Sequence, residues 1–351
     1  MNILAMDLAK SKTVVCFYDS EKSKGVYRKI KTLPQQIHDT IVEYGPDRVV
    51  FEICSIAGWV YDIASVLVNE VEVADVNGQA WRWKNVKSKT DRKDALKLAQ
   101  LSSMGQLNCV HIPKKEVRQK RSLITFRQSL VGRRTQIKNS IHSILDKEGL
   151  GHVLPKGRKG WTKRSIKMLS NLSKNLEDCF LDSTWRGQLY IELAELERVG
   201  EKIAELEAKL DKLAENDEHI RVLRTIKGVG PRLSEAVAAF LDEPNRFSSC
   251  KQVGSYAGLT PKQYQSGSMD RQGRISGQGN KLLRSLLVEV SWLGLQNNKW
   301  MRETYHRVLR GSASRKKIAI TAVARKLLVL CWAMMRDGTE WREVKQTKDA
   351  A

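Results

Sequence analysis

The chain has 351 residues, with 61 Lys and Arg against 39 Asp and Glu, and so carries a formal charge of +22 with a pI near 9.8. That length allows two or three domains, and that charge, without a lipid-anchor motif, calls for a polyanionic partner, nucleic acid before a membrane surface. The cysteines Cys16, Cys54, Cys109, Cys179, Cys250 and Cys331 form no C-x-x-C, which argues against a zinc ribbon or a disulfide framework; the N-terminal apolar run is too short for a signal peptide, and "ITAVARKLLVLCWAMM" is interrupted by Arg325 and Lys326, so a soluble cytoplasmic protein is expected.

"NILAM" at residues 2 to 6 reads as a buried strand ending at Asp7, with "TVVCFYD" and "GVYRKIK" as the second and third strands. A helix is expected over about 34 to 44, then the strand "RVVFEI", a helix near 57 to 69, the strand "VEVADV", and a helix opened by Asp91. Strands first in hairpins and then alternating with helices imply a mixed α/β sheet of the ribonuclease H-like kind, with carboxylates at strand ends.

From Pro113 the character changes. Residues 113 to 138 hold nine Lys or Arg against the single Glu116, while Leu123, Phe126, Leu130, Ile137, Ile141 and Ile144 keep helical spacing, which predicts a basic amphipathic helix. "KGRKGWTKRSIK" at 156 to 167 adds six basic residues and reads as a mobile loop. Leu196, Val199, Ile203, Leu206, Leu210 and Leu213 make a heptad seam, suiting a coiled coil, an antiparallel helix pair or an ordinary packed helix. "GVG" at 228 to 230, between two helical patterns, fits either a helix-hairpin-helix turn that contacts phosphate or a plain inter-helix turn. The Gly- and Ser-rich basic stretch that follows reads as a functional loop.

Four acids stand out: Asp7 and Glu52 at strand ends, and Asp91 with Asp94 on one helix face. Each has an ordinary explanation, a turn residue or a helix cap. Together they match what is needed to hold divalent ions that clamp the attacking and leaving oxygens of a phosphodiester. Candidate phosphate contacts are Arg133, Arg134, Lys138, Lys156, Arg158 and Lys159 in the basic segments, and Arg271, Arg274, Lys281 and Arg284 downstream; Trp81, Trp83 and Trp161 are candidates for base stacking or for core packing.

"AMDLAKSKTVV", "VVFEICS", "KTDRKDALKLAQL" and "FSSCKQVGSYAGLTPKQYQSGS...GRISGQGNKLLRSLL" resemble the IS110-family insertion-sequence transposases, the DEDD type that act as bridge-RNA-guided recombinases, over nearly the whole chain. The resemblance implies a RuvC-like domain at 1–112, a basic helical and coiled-coil connector at 113–220, and a mainly helical transposase domain at 221–345. It places the metal-binding acids on Asp7, Glu52, Asp91 and Asp94, with Mg²⁺ or alternatively Mn²⁺, and the nucleophile on Ser266 in "YQSGS". It also implies a phosphoserine intermediate, a noncoding bridge RNA, donor and target DNA, a homo-oligomer (dimer or tetramer), no membrane, and a bacterial or archaeal, nucleoid-associated setting. Two departures are visible: "ICSIAGWVY" follows Glu52 where members commonly have Thr-Gly-x-Tyr, and Asn77-Gly78 stands where Asn-Pro is usual. The alternatives are a RuvC-like metal-dependent nuclease acting on branched DNA, with Ser266 merely structural, and a non-catalytic nucleic-acid-binding protein.

Overall fold

The computed structural model describes residues 1–75, 90–155, 157–267 and 269–342, and of 158, 159 and 272 only the backbone. Trp81, Trp83, Lys156 and the Asn77-Gly78 pair fall outside the described residues, as do the side chains of Arg158 and Lys159. The chain divides into two compact units, Met1–Glu116 and Val117–Ala351.

In the first unit β1 (Asn2–Asp7), β2 (Lys12–Asp19) and β3 (Lys24–Lys31) form an antiparallel meander. Helix α1 (Pro34–Tyr44), strand β4 (Arg48–Glu52), helix α2 (Ala57–Leu67) and strand β5 (Glu70–Ala74) follow, and β4 and β5 join parallel to β1. The sheet order is β3-β2-β1-β4-β5. β1 lies inside the sheet with both faces covered, so Ile3, Leu4, Ala5 and Met6 are all fully buried and the strand reads as an unbroken apolar run rather than an alternation. One face, through Leu4, Met6, Val15, Val49 and Phe51, packs on Ile37 and Ile41 of α1 and Val60 and Ala64 of α2. The other, through Ile3, Ala5, Val14, Cys16 and Val50, packs on Ala95, Leu98 and Ala99 of α3 (Asp91–Ser103).

The C-terminal end of α3 is tied to the start of the parallel strands. Arg48 on β4 donates to the Ser102 carbonyl at 3.0 Å and pairs with Glu72 at 3.3 Å, and the Ser102 hydroxyl donates to Glu72 at 2.6 Å. This knot fixes the helix lengthwise, and with it the position of its N-terminal turn at the opposite edge of the sheet.

The second unit begins within the first turn of α4 (Lys115–Lys147), the basic amphipathic helix read from the sequence. The heptad seam lies on α6 (Thr184–Ala214) and folds back on α4 as an antiparallel pair: Leu130, Ile137, Ile141 and Leu145 meet Leu196, Val199 and Ile203. Arg127 donates to Glu207 at 2.9 Å and Ser140 to Glu192 at 2.6 Å, so rising positions on one helix meet falling positions on the other. The stretch expected as a mobile loop differs from that expectation. It contains a 3-10 turn at Arg158–Trp161 and the start of α5 (Lys163–Leu172), because Thr162 caps the helix by accepting from the Ser165 N–H at 3.2 Å and Leu169 is buried against the α4–α6 pair.

Short helices α7 (Glu218–Arg224) and α8 (Pro231–Leu241) are joined through "GVG", where Gly228 takes φ +95, a region open to glycine, and Pro231 opens α8. Then come α9 (Cys250–Tyr256), β6 (Pro261–Ser266), β7 (Met269–Ile275), α10 (Lys281–Asn297), α11 (Lys299–Leu309) and α12 (Lys316–Asp337). Residues Ala313–Asp337 are long and apolar enough to cross a membrane. Here α12 is instead the central core helix, with Ile320, Val323, Leu327, Leu328 and Cys331 buried among α8, α10 and α11.

A charge cluster with one buried carboxylate lies where α6 meets α8. Arg232 pairs with Asp211 and, at 3.1 Å, with Glu235, which is 4 % exposed. Burial pushes the Glu235 carboxyl from its ordinary 4.5 up to about 7, against the pull of Arg232 and with added repulsion from Asp211. The folded chain therefore keeps a proton that the unfolded chain releases, and stability should decline as pH rises from about 4.5 to about 7. Glu235→Gln should flatten that decline by about 1–2 kcal/mol, seen as a smaller difference in thermal midpoint between pH 5 and pH 8. Parallel profiles for the two proteins would refute the assignment.

Candidate active site

β1 and β4 run parallel in register up to the pair Met6–Phe51, so Asp7 and Glu52 leave adjacent strands at the same C-terminal edge. Neighbouring strands lie about 4.8 Å apart. Side chains alternate along a strand, so Asp7 shares the face of Ile3 and Ala5, and Glu52 the face of Val50, which is the face that α3 covers. On α3 the stripe Ala95, Leu98 and Ala99 faces the sheet, and Asp91 and Asp94 continue it by one turn toward the N-terminus. The structure thus brings the strand pair and the helix pair to one edge of one sheet face. Glu52 holds this place although "ICSIAGWVY" follows it.

The capping explanation for the aspartates is corrected by the local geometry. The side-chain cap of α3 is Thr90, whose hydroxyl accepts from the Lys93 N–H at 3.4 Å. Asp91 and Asp94 lie within the first turn, where their charge suits the helix dipole.

Lys97, one turn beyond Asp94, went unnoticed in the sequence. It is only 7 % exposed, and burial lowers its pKa while the charges of Asp94 and Glu52 hold it up. A cation placed among these acids offsets their mutual repulsion. Beside Asp91 a cleft of about 490 Å³ is lined by Val14, the cross-strand partner of Asp7, by Tyr27, Arg28 and Lys29, and by Thr90 and Arg92. Arg92 lies over the Tyr27 ring at 5.8 Å, so the mouth of the cleft is basic and suits a phosphate.

Ser266 ends β6 at the tip of a β-hairpin, where a loop was expected. It pairs with Met269, and Gly267, which follows it, takes φ +56, which explains the glycine. Ser266 is exposed, as is Arg271, which pairs with Tyr264. Arg274 lies beyond a break in register near the base of the hairpin.

The other expected nucleic-acid contacts divide. Arg133 is more than half exposed, with a single long pairing to Glu195 at 3.4 Å, and Lys281 is exposed at the start of α10. Arg134 is partly buried. Lys138 lies over the Trp161 ring at 4.7 Å, and Trp161 meets His142 edge-on at 5.5 Å, which occupies Trp161 in packing rather than base stacking. Arg284 donates to the Ala257 carbonyl at 2.7 Å and is part of the scaffold. Several basic residues of α4 are likewise engaged within the unit: Lys120 with Asp217 at 3.0 Å, Arg121 with the Ala239 carbonyl at 2.7 Å, and Arg127 with Glu207.

Residues 4–148 match a DEDD transposase family model described as "Transposase", and residues 220–306 match the model "Transposase IS116/IS110/IS902 family". The chain is 26 % identical to the transposase for insertion sequence element IS1111A of Coxiella burnetii, over 97 % of this chain and 92 % of that protein. It is 26 % identical to the transposase for insertion sequence element IS1328 of Yersinia enterocolitica, over 72 % and 73 % respectively. A shorter match, 31 % identical over 33 % of this chain and 37 % of its relative, is to the pilin gene-inverting protein of Moraxella lacunata.

Proposed function

Because the chain belongs to the IS110 family of insertion-sequence transposases, and so is a DNA transposase or recombinase, we propose that its first unit is a RuvC-like, ribonuclease H-like metal domain and that Ser266 is its strand-breaking nucleophile. The observation that carries this reading is that Asp7 and Glu52 leave adjacent strands at one edge of the sheet face that α3 covers, with Asp91 and Asp94 in the first turn of that helix. The order β3-β2-β1-β4-β5, with a meander followed by parallel strands, supports the domain type.

The donor set fits a hard divalent cation, since all four groups offer carboxylate oxygens; Mg²⁺ is the first choice and Mn²⁺ the alternative. When bound, the ion supplies positive charge to offset that developing on the phosphodiester oxygens. Asp7 and Glu52 would hold it from the strands and Asp91 and Asp94 from the helix, while Lys97 offsets the charges of Asp94 and Glu52.

At Ser266 the Oγ–phosphorus bond forms as the bond from phosphorus to the leaving deoxyribose oxygen breaks; the serine proton passes to solvent, and the leaving oxygen takes one up. Attack by a second strand's hydroxyl on the phosphoserine reverses these changes and rejoins DNA without an outside energy source. Arg271, on the same hairpin face, suits the non-bridging phosphate oxygens. The exposed arginine of α4 supports phosphate contact with a structured noncoding RNA whose pairing reads donor and target DNA, in a dimer or tetramer working on the nucleoid in the cytoplasm.

The test combines the purified protein, RNA transcribed from the element's flank, and DNA carrying the junction. A denaturation-resistant protein–DNA adduct should form only with Mg²⁺ and RNA present, and peptide mapping should place it on Ser266. Mg²⁺-dependent cuts with free ends and no adduct would favour the nuclease alternative, and no processing at all would favour the non-catalytic one.

A further inference from the structure

The β6–β7 hairpin has two chemically different faces. On one, Gln263, Gln265 and Asp270 are polar, and the Gln263 amide donates to Asp270 at 3.3 Å. On the other, the cross-strand pairs Tyr264–Arg271 and Ser266–Met269 place an aromatic ring, a thioether and a guanidinium around the serine hydroxyl. Tyr264 is 55 % exposed and Met269 60 % exposed, large apolar groups standing in water at the tip of a hairpin in a chain of charge +22.

The Tyr264 ring is laid along the hairpin. A Cβ built at Gly273 would come within 2.9 Å of the Tyr264 Cε2, so the ring lies against that glycine while much of it stays open to solvent. The hairpin's root is firm by contrast. The Ser276 N–H donates to the Thr260 carbonyl at 2.7 Å and the Asn280 N–H to the Tyr256 carbonyl at 2.9 Å. Gly258 and Gly279, both at positive φ, let α9 and the segment before α10 approach more closely than a side chain would allow. A rigid root therefore presents an apolar tip that does not fold back into the core.

We propose that this face is a stacking wedge for DNA: Tyr264 and Met269 engage an unstacked base beside the scissile phosphate, while Arg271 takes that phosphate. The proposal rests on the reading of Ser266 as the nucleophile, which makes a DNA strand the occupant of the face. Charge complementarity favours the same occupant, since Lys262 and Arg271 stand on the hairpin against the single Asp270, itself turned to the opposite face. An aromatic ring and an unbranched thioether stack on or wedge between bases without needing a particular sequence.

The probe is a DNA duplex with a three-nucleotide unpaired bubble carrying 2-aminopurine, bound by Ser266→Ala protein so that no chemistry intervenes. Binding should quench the fluorophore. Tyr264→Ser and Met269→Ser should each lose most of the quenching and bind the bubble roughly tenfold more weakly, with unchanged affinity for fully paired duplex and an unchanged salt slope. Tyr264→Phe should behave as the parent, and Gly273→Ala, which displaces the ring without removing it, should lose quenching with the fold intact by circular dichroism. Arg271→Gln should instead lower the log–log salt slope by about one. Unaltered quenching and bubble affinity in the Tyr264 and Met269 variants would overturn the wedge, and equal quenching by an RNA bubble of the same sequence would overturn DNA as its occupant. An adduct still forming on Ser266→Ala protein would overturn the nucleophile reading alone, because the quenching signal does not depend on it.

Discussion

Asp94→Asn should cut Mg²⁺-dependent recombination by at least about a hundredfold, more than the loss expected from disturbing only a ligand's supporting partner, while leaving the metal-free protein as stable as the parent or slightly more so. Asp7→Asn and Glu52→Gln should do the same. The reason is electrostatic. Asp7 and Glu52 leave neighbouring strands, and Asp91 and Asp94 stand over the same sheet face, so without an ion their charges oppose one another. Added Mg²⁺ should raise the melting temperature of the parent, since a ligand bound only by the folded state stabilises it, and should do little for the variants. Lys97→Met should act with the opposite sign. Removing the 7 % exposed cation leaves Asp94 and Glu52 less compensated, so the metal-free protein should melt earlier and the Mg²⁺-induced rise should grow. Thermal melts with and without Mg²⁺ read both effects independently of catalysis. If Asp94→Asn unfolds the chain while Asp7→Asn stays fully active, the carboxylates are structural and the metal reading fails.

The second large effect concerns how sites are assembled in an oligomer. Ser266→Ala and Asp94→Ala should each be inactive alone, and mixing them should restore cleavage. Strand exchange requires two or more cleaved strands to be held together, and in the dimer or tetramer proposed above the acids of one subunit would serve Ser266 of another. In a randomly mixed twofold dimer about a quarter of the composite sites would then be intact. Covalent DNA should be found only on the subunit that keeps Ser266. The heptad seam of α6 is already filled by α4 of the same chain, so subunit pairing must use another surface, and breaking the seam should unfold the unit rather than dissociate an oligomer. A mixture that stays inactive, although mixed oligomers are shown to form, would place acids and serine of one site on one chain.

The strands, the helices around them and the four acids were legible in the residues because burial imposes a period. β1 has both faces covered and so reads as a continuous apolar run, and α3 shows its sheet-facing stripe in Ala95, Leu98 and Ala99. A carboxylate closing such a run, as at Asp7 or Glu52, stands out against its neighbours. The amphipathic pattern of α4 and the seam of α6 were equally plain, although whether the seam met its own chain or another was left open by periodicity alone.

What stayed hidden lacked such a period. In the hairpin, Pro261–Ser266 is exposed on both faces, so nothing selects apolar residues at alternate positions, and the stretch looks like a loop. Lys97 carries a charge and so reads as solvent-facing, whereas its burial follows from the sheet that α3 covers. Thr90 rather than an aspartate became the cap because the chain turns from extended to helical one residue before Asp91. Trp161 and Arg284 looked like nucleic-acid contacts until their partners, Lys138 with His142 and the Ala257 carbonyl, came from elements distant in sequence. Sequence by itself therefore determined which segments are buried and which residues are candidates for the chemistry, since both leave a local mark. Which acids share a face, which cations are available to a phosphate, and that Ser266 stands beside an exposed ring and thioether were decided by strand register and helix packing, which pair residues far apart in the chain.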